Sequence, residues 1–282
     1  MKTKTEAIWP ILGCLIKAQE FLKTEENYHC VNKEQKDFLH LFWKWNEDLG
    51  KIPVESRADL SSDVINTWLA EKGFDIKLDP VCAPGFAVAS ILDALVEWKS
   101  DGKQCKVDCF YGKQYDGVRM DSGYRILYSP EVGQYLQVYT KTGESVNMAV
   151  CDPAGDLDNF GLTRLAMKIN DTMIPDSFHP SYISFPMIDC DQNPDISFLK
   201  CLEIKGFNIG EALQKTRFRM NENGARAQSA VAMGFRCLCC IQPTFFNIDS
   251  PFLLWINSPK TRYPIFTGYF TQETWKKPKD LK

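Results

Sequence analysis

Eleven cysteines in 282 residues are the most reactive material in this sequence, and the tightest group is Cys237, Cys239 and Cys240. Thiolates are nucleophiles and soft metal ligands. A zinc centre needs four ligands at suitable spacing, and besides the cysteines the chain offers three scattered histidines, His29, His40 and His179. An odd cysteine count leaves at least one thiol without an intrachain partner. The reading is of scattered, mostly reduced thiols in a reducing compartment, with no metal and no cofactor. Carboxylates form the second group: Asp189, Asp191 and Asp195, with Glu25 and Glu26 earlier. Acid–base chemistry needs such groups beside a nucleophile, a phosphate loop or a histidine at useful spacing, and the sequence supplies none of these. His179 precedes Pro180 and reads as a turn residue. Acidic clusters of this kind are ordinarily solvated surface. The expectation is that the chain is not an enzyme.

One segment has chemistry of another sort, that of a chain able to change its structure. From Ala225 to Leu238 there is no proline. Side chains of a strand alternate between its faces. Taken as a strand, one face carries Ala225, Ala227, Ser229, Val231 and Met233, all small or apolar; the other carries Arg226, Gln228, Ala230 and Ala232. The first face suits a packed core. By composition alone the segment also suits a helix or a solvated loop.

The elements around it divide by texture. Residues 1 to about 80 read as mainly helical. Ile8, Leu12, Leu15, Ile16, Ala18 and Phe21 recur near helical spacing, which favours an amphipathic first helix over a secretory leader, although secretion stays open. Phe38, Leu39, Leu41, Phe42 and Trp45 form a second stripe. Asp59, Ser61 or Ser62 can cap a helix through Val64, Ile65, Trp68 and Leu69 that stops at Gly73. Gly85–Trp98 is long and apolar, as a strand covered on both faces would be. Short strands follow at Lys106–Tyr111, Tyr124–Tyr128, Gln134–Tyr139, Ser145–Cys151 and Tyr182–Cys190, with helices at Leu157–Ile169 and Ile196–Gly206. Two late strands, Pro251–Asn257 and Pro264–Phe270, flank a Ser258-Pro259-Lys260-Thr261 turn. The pattern is α+β. Lys and Arg total 33 against 36 Asp and Glu, a net charge of −3, so no basic excess points to nucleic acid or an anionic membrane. No apolar run reaches the length of a membrane span.

Three stretches in order resemble the serpin family of protease inhibitors. INTWLAEKGFDIK (Ile65–Lys77) and VASILDALVEWK (Val88–Lys99) are similar to the helix crossing that family's main sheet and the long central strand after it. VDCFY, YRILYSP, QYLQVYT and VNMAVCDP, from Val107 to Pro153, are similar to its successive small strands. FRMNENGARAQSAVA (Phe218–Ala232) resembles the strand, acidic-glycine turn and alanine-rich hinge, and FFNIDSPFLLWINSPKTRYPIFTGYF (Phe245–Phe270) the closing hairpin. The resemblance implies one serpin-like α+β domain over 1–282. It has a divergent, shortened helical part at 1–55, a recognisable core at 56–276 and a reactive loop at about 225–244. Several early helices and main-sheet strands of the family have no counterpart here.

The resemblance also implies a function. A target protease cuts the loop and is acylated, and the loop's hinge then inserts into the main sheet as a new strand. The hinge would be Glu222, Gly224, Ala225, Ala227, Ser229 and Val231. The reactive bond would be Leu238–Cys239, or Arg236–Cys237 in a shifted register. Leucine favours a chymotrypsin-like enzyme over a trypsin-like one. The family's asparagine and histidine at the sheet opening correspond to Asp93 and Gln214, which can hydrogen-bond, provided that a buried Asp93 is partnered. The other reading is a serpin-like binder or decoy that has lost trapping. Shortened serpins of this kind are carried by large DNA viruses, which would place the chain in a host cell's cytoplasm, acting on a host protease.

Overall fold

The computed structural model describes residues 2–109, 112–152, 160–223 and 244–279. The chain opens with strand β1 (Lys4–Glu6) and helix α1 (Ile8–Leu22). Ile8, Trp9, Ile11, Leu12 and Leu15 of α1 are buried, as their helical spacing requires. Pro10 sits in the first turn, where its missing N–H leaves no intrahelical bond unmade. Helix α2 (Lys33–Phe42) begins at Asn32, whose side chain accepts the Gln35 amide at 2.8 Å, and runs into a 3₁₀ stretch at Trp43–Lys51. Strand β2 (Val54–Asp59), helix α3 (Ser62–Glu71) and strand β3 (Ala87–Leu92) come next. Five strands follow: β4 (Lys103–Asp108), β5 (Gln114–Met120), β6 (Tyr124–Ser129), β7 (Gly133–Tyr139) and β8 (Ser145–Val150). Helix α4 (Gly161–Thr172) leads to β9 (Ile174–Pro175), β10 (Tyr182–Pro186) and β11 (Ile188–Gln192). A small hairpin, β12 (Glu203–Ile204) and β13 (Phe207–Asn208), precedes β14 (Thr216–Met220). The last strands are β15 (Phe245–Asn247), β16 (Phe252–Asn257) and β17 (Phe266–Phe270).

These strands make one sheet in the order β1-β17-β16-β8-β7-β6-β9, a second in the order β15-β10-β5-β4, and the pairs β11-β14, β12-β13 and β2-β3. The large sheet is the apolar centre: Leu136, Met148, Phe252, Leu254 and Phe270 are buried beneath α1 and α2, while Leu253, Trp255 and Tyr135 pack with α4 on the other face. The N-terminus of α4 has no side-chain cap of its own, because Phe160 stands there. Glu6 supplies one from β1, accepting the Leu162 amide (3.3 Å), the Thr163 amide (2.8 Å) and the Thr163 hydroxyl (2.9 Å). Burial holds the Glu6 carboxyl above the usual carboxylate range despite those bonds and the nearby Lys4.

Most expected elements form, and four differ. Gly85–Trp98 is not one long strand: β3 spans only Ala87–Leu92, the chain leaves the ladder at Asp93, and Trp98 makes an isolated bridge to Thr140. Ile196–Gly206 is not a helix: a 3₁₀ turn at Ser197–Leu199 leads into the β12–β13 hairpin. Lys205 (φ 50°) and Gly206 (φ 77°) are its two turn residues, so the glycine expected to end a helix turns a hairpin instead. Tyr182–Cys190 is two strands rather than one: β10 pairs with β5, and past Met187 the chain crosses to pair β11 with β14. Strand β5 was masked by its Asp116-Gly117 pair, which reads as a turn. Gly117 is there because a Cβ would meet Val107 Cγ2 at 2.3 Å and the Phe185 carbonyl oxygen at 2.9 Å.

Candidate functional site

Strand β3 hydrogen-bonds only to β2, and β14 only to β11, among the described residues. Each therefore keeps one unpaired edge. On the approach to each, the rings of Phe86, just before β3, and Phe207, in the β13 strand that precedes β14, lie 5.5 Å apart, edge to face. Beyond their ends the Trp98 indole N–H donates to the Asn221 carbonyl at 3.0 Å. The two strands thus run in the same direction, with a cleft of about 590 Å³ between them.

Sequence explains each wall. One face of β3 carries Ala87, Ala89 and Ile91 against Ile65, Trp68 and Leu69 of α3. Helix α1 floors the cleft with Ile11, Cys14 and Leu15. It approaches closely through Gly13, where a Cβ would lie 2.3 Å from Ser90 Oγ and 2.8 Å from Ser56 Oγ. Those two hydroxyls bond each other across β2 and β3 at 3.0 Å. On β14 the alternation is plain. Thr216 and Met220 point inward and are buried, and Phe218 stacks on Phe266 at 4.9 Å. Outward, Arg219 meets Asp189 at 3.2 Å and Arg217 meets Asp191 at 3.6 Å, cross-strand partners in the β11–β14 register.

The chain after α3 straps the cleft from outside. Lys215 Nζ lies 2.6 Å from Asp75 and 3.3 Å from Asp191. Arg217 donates to the Gly73 carbonyl at 3.2 Å and lies over the Phe74 ring. The Asp79 amide donates to Glu211 at 2.9 Å. Lys215 holds the Asp75 carboxyl below its ordinary range, and Asp75 in turn raises Lys215.

Residues 191–272 match the serpin (serine protease inhibitor) family model; the span takes in β14, the segment after it and the closing strands. Solved serpins align over almost the whole chain. Serpin48 of the insect Tenebrio molitor, a highly specific serpin, aligns at 15% identity over 96% of this chain and 92% of its own, with a TM-score of 0.55. The thermophilic serpin tengpin in its native state gives 12%, 96%, 89% and 0.56. Thyroxine-binding globulin in complex with thyroxine gives 14%, 97%, 93% and 0.55. The chain has the serpin fold, and its residues 191–272 carry the serpin family's sequence pattern. Among curated proteins, none matches it in sequence.

The expected site residues are distributed unevenly over the described structure. Gly224, Ala225, Ala227, Ser229, Val231, Arg236, Cys237, Leu238 and Cys239 lie outside the described residues. Glu222 is described, in the turn that closes β14. One carboxylate oxygen takes a short hydrogen bond from the Gln104 amide of β4, and Gln104 accepts from Lys277 at 3.1 Å. Asp93 and Gln214 do not pair. Asp93 is exposed, just past β3, and its side chain makes no hydrogen bond among the described residues; its amide donates to the Pro53 carbonyl. The concern over a buried Asp93 therefore falls away. Gln214 gives its amide to the Ala7 carbonyl at 2.8 Å, tying β14's approach to the start of α1. Sequence reasoning passed over Trp98, Asn221, Thr216 and Lys215. Only the indole of Trp98, a polar handle on an otherwise apolar strand, carried a signal.

The described thiols form no disulfide. Cys14, Cys30, Cys82, Cys105, Cys109, Cys151, Cys190 and Cys201 are all free. Burial pushes Cys14 and Cys190 up to about 12 and Cys151 to about 11. Among the described residues, no group of three or more His, Cys, Asp or Glu could hold a metal ion, and no helix is long and apolar enough to cross a membrane.

Proposed function

We propose that this serpin inhibits a protease by loop cleavage and insertion. The observation that carries the reading is the pair of unpaired, same-direction edges on β3 and β14. The chain leaving β14 turns at Asn221–Asn223, where the Asn221 side chain accepts the Asn223 amide at 2.9 Å. A segment returning from that turn would run antiparallel to both strands, and one strand could pair with both edges at once. The inward face of such a strand, with Ala225, Ala227, Ser229 and Val231, is small enough to lie over α1. Insertion would be driven by two new ladders and by burial of the cleft's apolar walls, at about 25 cal/mol per Å².

Leu238 is the proposed residue before the scissile bond, which suits a protease with a deep apolar primary pocket, and Arg236 is the alternative. The protease brings the nucleophile; the inhibitor contributes a substrate and a trap. A panel of chymotrypsin-like and trypsin-like proteases, followed by denaturing electrophoresis and mass spectrometry, tests this. The expected result is an SDS-stable adduct with the new C-terminus at Leu238. Clean cleavage across the panel, with no adduct and no rise in melting temperature, overturns it.

A non-inhibitory binder is the second reading, and the strap over the cleft favours it. Asp75–Lys215, Gly73–Arg217 and Asp79–Glu211 must all give way before a strand can enter from that side. If they hold, the cut loop stays outside.

A further inference from the structure

The second sheet carries an exposed stack that neither the cleft nor the strap uses. Tyr182 on β10 lies opposite Phe245 on β15, and their rings stack at 5.7 Å with 12° between the planes. Ser184, on the same face of β10, lies opposite Arg119 on β5, whose guanidinium sits 3.8 Å from the centre of the Tyr182 ring. The row Arg119–Tyr182–Phe245 thus crosses three strands, and its last ring is 56% exposed. The row is held in place. The Ser181 amide donates to the Thr244 carbonyl at 2.8 Å, the Ser184 hydroxyl to Asn247 Oδ1 at 2.8 Å, and the Ile248 amide to the Ser184 carbonyl at 2.9 Å. Asp121 engages Arg119 at 3.0 Å and Lys103 at 2.7 Å, so the open contact is the apolar ring. Tyrosine and arginine are enriched at interface hot spots, and a ring already fixed by its neighbours loses little freedom on binding.

Chain length decides what reaches this row. Phe245 lies seven residues past Leu238, and seven extended residues span at most about 25 Å. A folded domain of about 200 residues has a radius of gyration near 16 Å and is therefore about 40 Å across. A protease of that size with Leu238 in its primary pocket extends about 20 Å to each side of it. Its body then falls over the start of β15. We propose that Arg119, Tyr182 and Phe245 form an accessory docking surface for the protease that cuts the loop, with an apolar patch beside the enzyme's cleft packing on the open ring of Phe245. The inference rests on the reading of the loop as protease bait and deepens it, because part of the enzyme's selectivity then lies outside the loop.

The test uses the full chain and each enzyme of the protease panel that cuts between residues 225 and 244, with protease in excess, so that the first cut of the loop is timed. For Phe245→Ala the half-saturating protease concentration should rise about tenfold while the limiting rate stays unchanged, the mark of lost binding rather than lost chemistry. Its melting temperature should move little, because the ring is exposed. Arg119→Ala, on a strand more than a hundred positions from the loop, should raise the same concentration about threefold by freeing Tyr182, and Phe245→Leu should recover most of the wild-type value. The free peptide 232–243, which carries the bait without the sheet, should bind the enzyme as weakly as Phe245→Ala does. An adduct formed at a rate that Phe245→Ala leaves unchanged overturns the docking surface and leaves trapping intact. Cleavage without adduct, half-saturated at a raised concentration in the variant, overturns trapping and leaves the docking surface. A panel in which no enzyme cuts the loop overturns both.

Discussion

Trp98 and Asn221, 123 residues apart in sequence, are joined by a buried hydrogen bond from the indole N–H to the backbone carbonyl at 3.0 Å. The bond clasps the far end of the cleft immediately before the segment that leaves β14. Trp98 also packs edge-to-face on Phe185 at 5.8 Å, so the clasp is anchored in the core. Trp98→Phe would keep much of the packing and leave the Asn221 carbonyl without its donor. The expected loss is about 1–3 kcal/mol, the desolvation penalty of one buried unpaired group. It should appear as a lower urea midpoint with an unchanged slope. An unaltered midpoint would show that the clasp contributes nothing to stability.

The strap gives a pH dependence with a definite sign. Lys215 lowers Asp75 in the folded state, so the carboxylate's contribution is present above its unfolded pKa of about 3.9 and is lost as pH falls through the lowered folded value. Asp75→Asn should therefore melt below the wild type at pH 7, and the gap should close below about pH 4. Because Asp75 is exposed, the effect should also shrink in 1 M salt. A gap that does not narrow at all as pH is lowered from about 4 would mean the side chain acts by something other than charge.

If the segment after Asn223 enters the cleft, its inward face must stay small. Ala227→Arg would place a guanidinium over the apolar floor at Leu15, an unpaired burial that the cleft cannot compensate. Cleavage rate should be little changed, whereas the covalent adduct should disappear and the melting temperature of the cut form should fall back to that of the uncut one. Full adduct yield from the variant would remove the insertion model.

Thiol labelling provides an independent check of packing. Cys82 and Cys201 are exposed, whereas burial raises Cys14 and Cys190 to about 12. At pH 8 iodoacetamide should modify the exposed pair in the folded protein and reach the buried Cys190 only after denaturant is added. Prompt labelling of Cys190 would mean that the β11–β14 pair opens in the folded protein.

Elements with strong local pattern were legible in sequence. The α1 stripe, the α3 run ending at Gly73 and the late strands around Ser258–Thr261 all form where spacing places them. Glycine was the main source of error, because one residue type serves several backbone needs. Gly206 turns a hairpin rather than ending a helix, and Gly117 lets strands approach rather than turn. The family pattern led to the turn after β14 and to the two strands that flank the cleft. It could not show what spans the gap between them. Asp75–Lys215, Gln214–Ala7 and Trp98–Asn221 join partners 140, 207 and 123 positions apart. No local periodicity encodes such pairs; only the packed chain brings them together.

If the edges of β3 and β14 accept a strand, they have no means of telling whose it is. A segment with the polarity and small inward face that suit this chain's own loop would be equally well matched if it came from a neighbouring copy. Supply then depends on crowding: a tethered segment meets its slot at a fixed local abundance, whereas a foreign one arrives in proportion to how much protein is present. Warming a concentrated sample enough to loosen the strap, yet short of unfolding the core, should thus set self-filling against chain-to-chain linkage, with dilution tipping the balance back to the monomer.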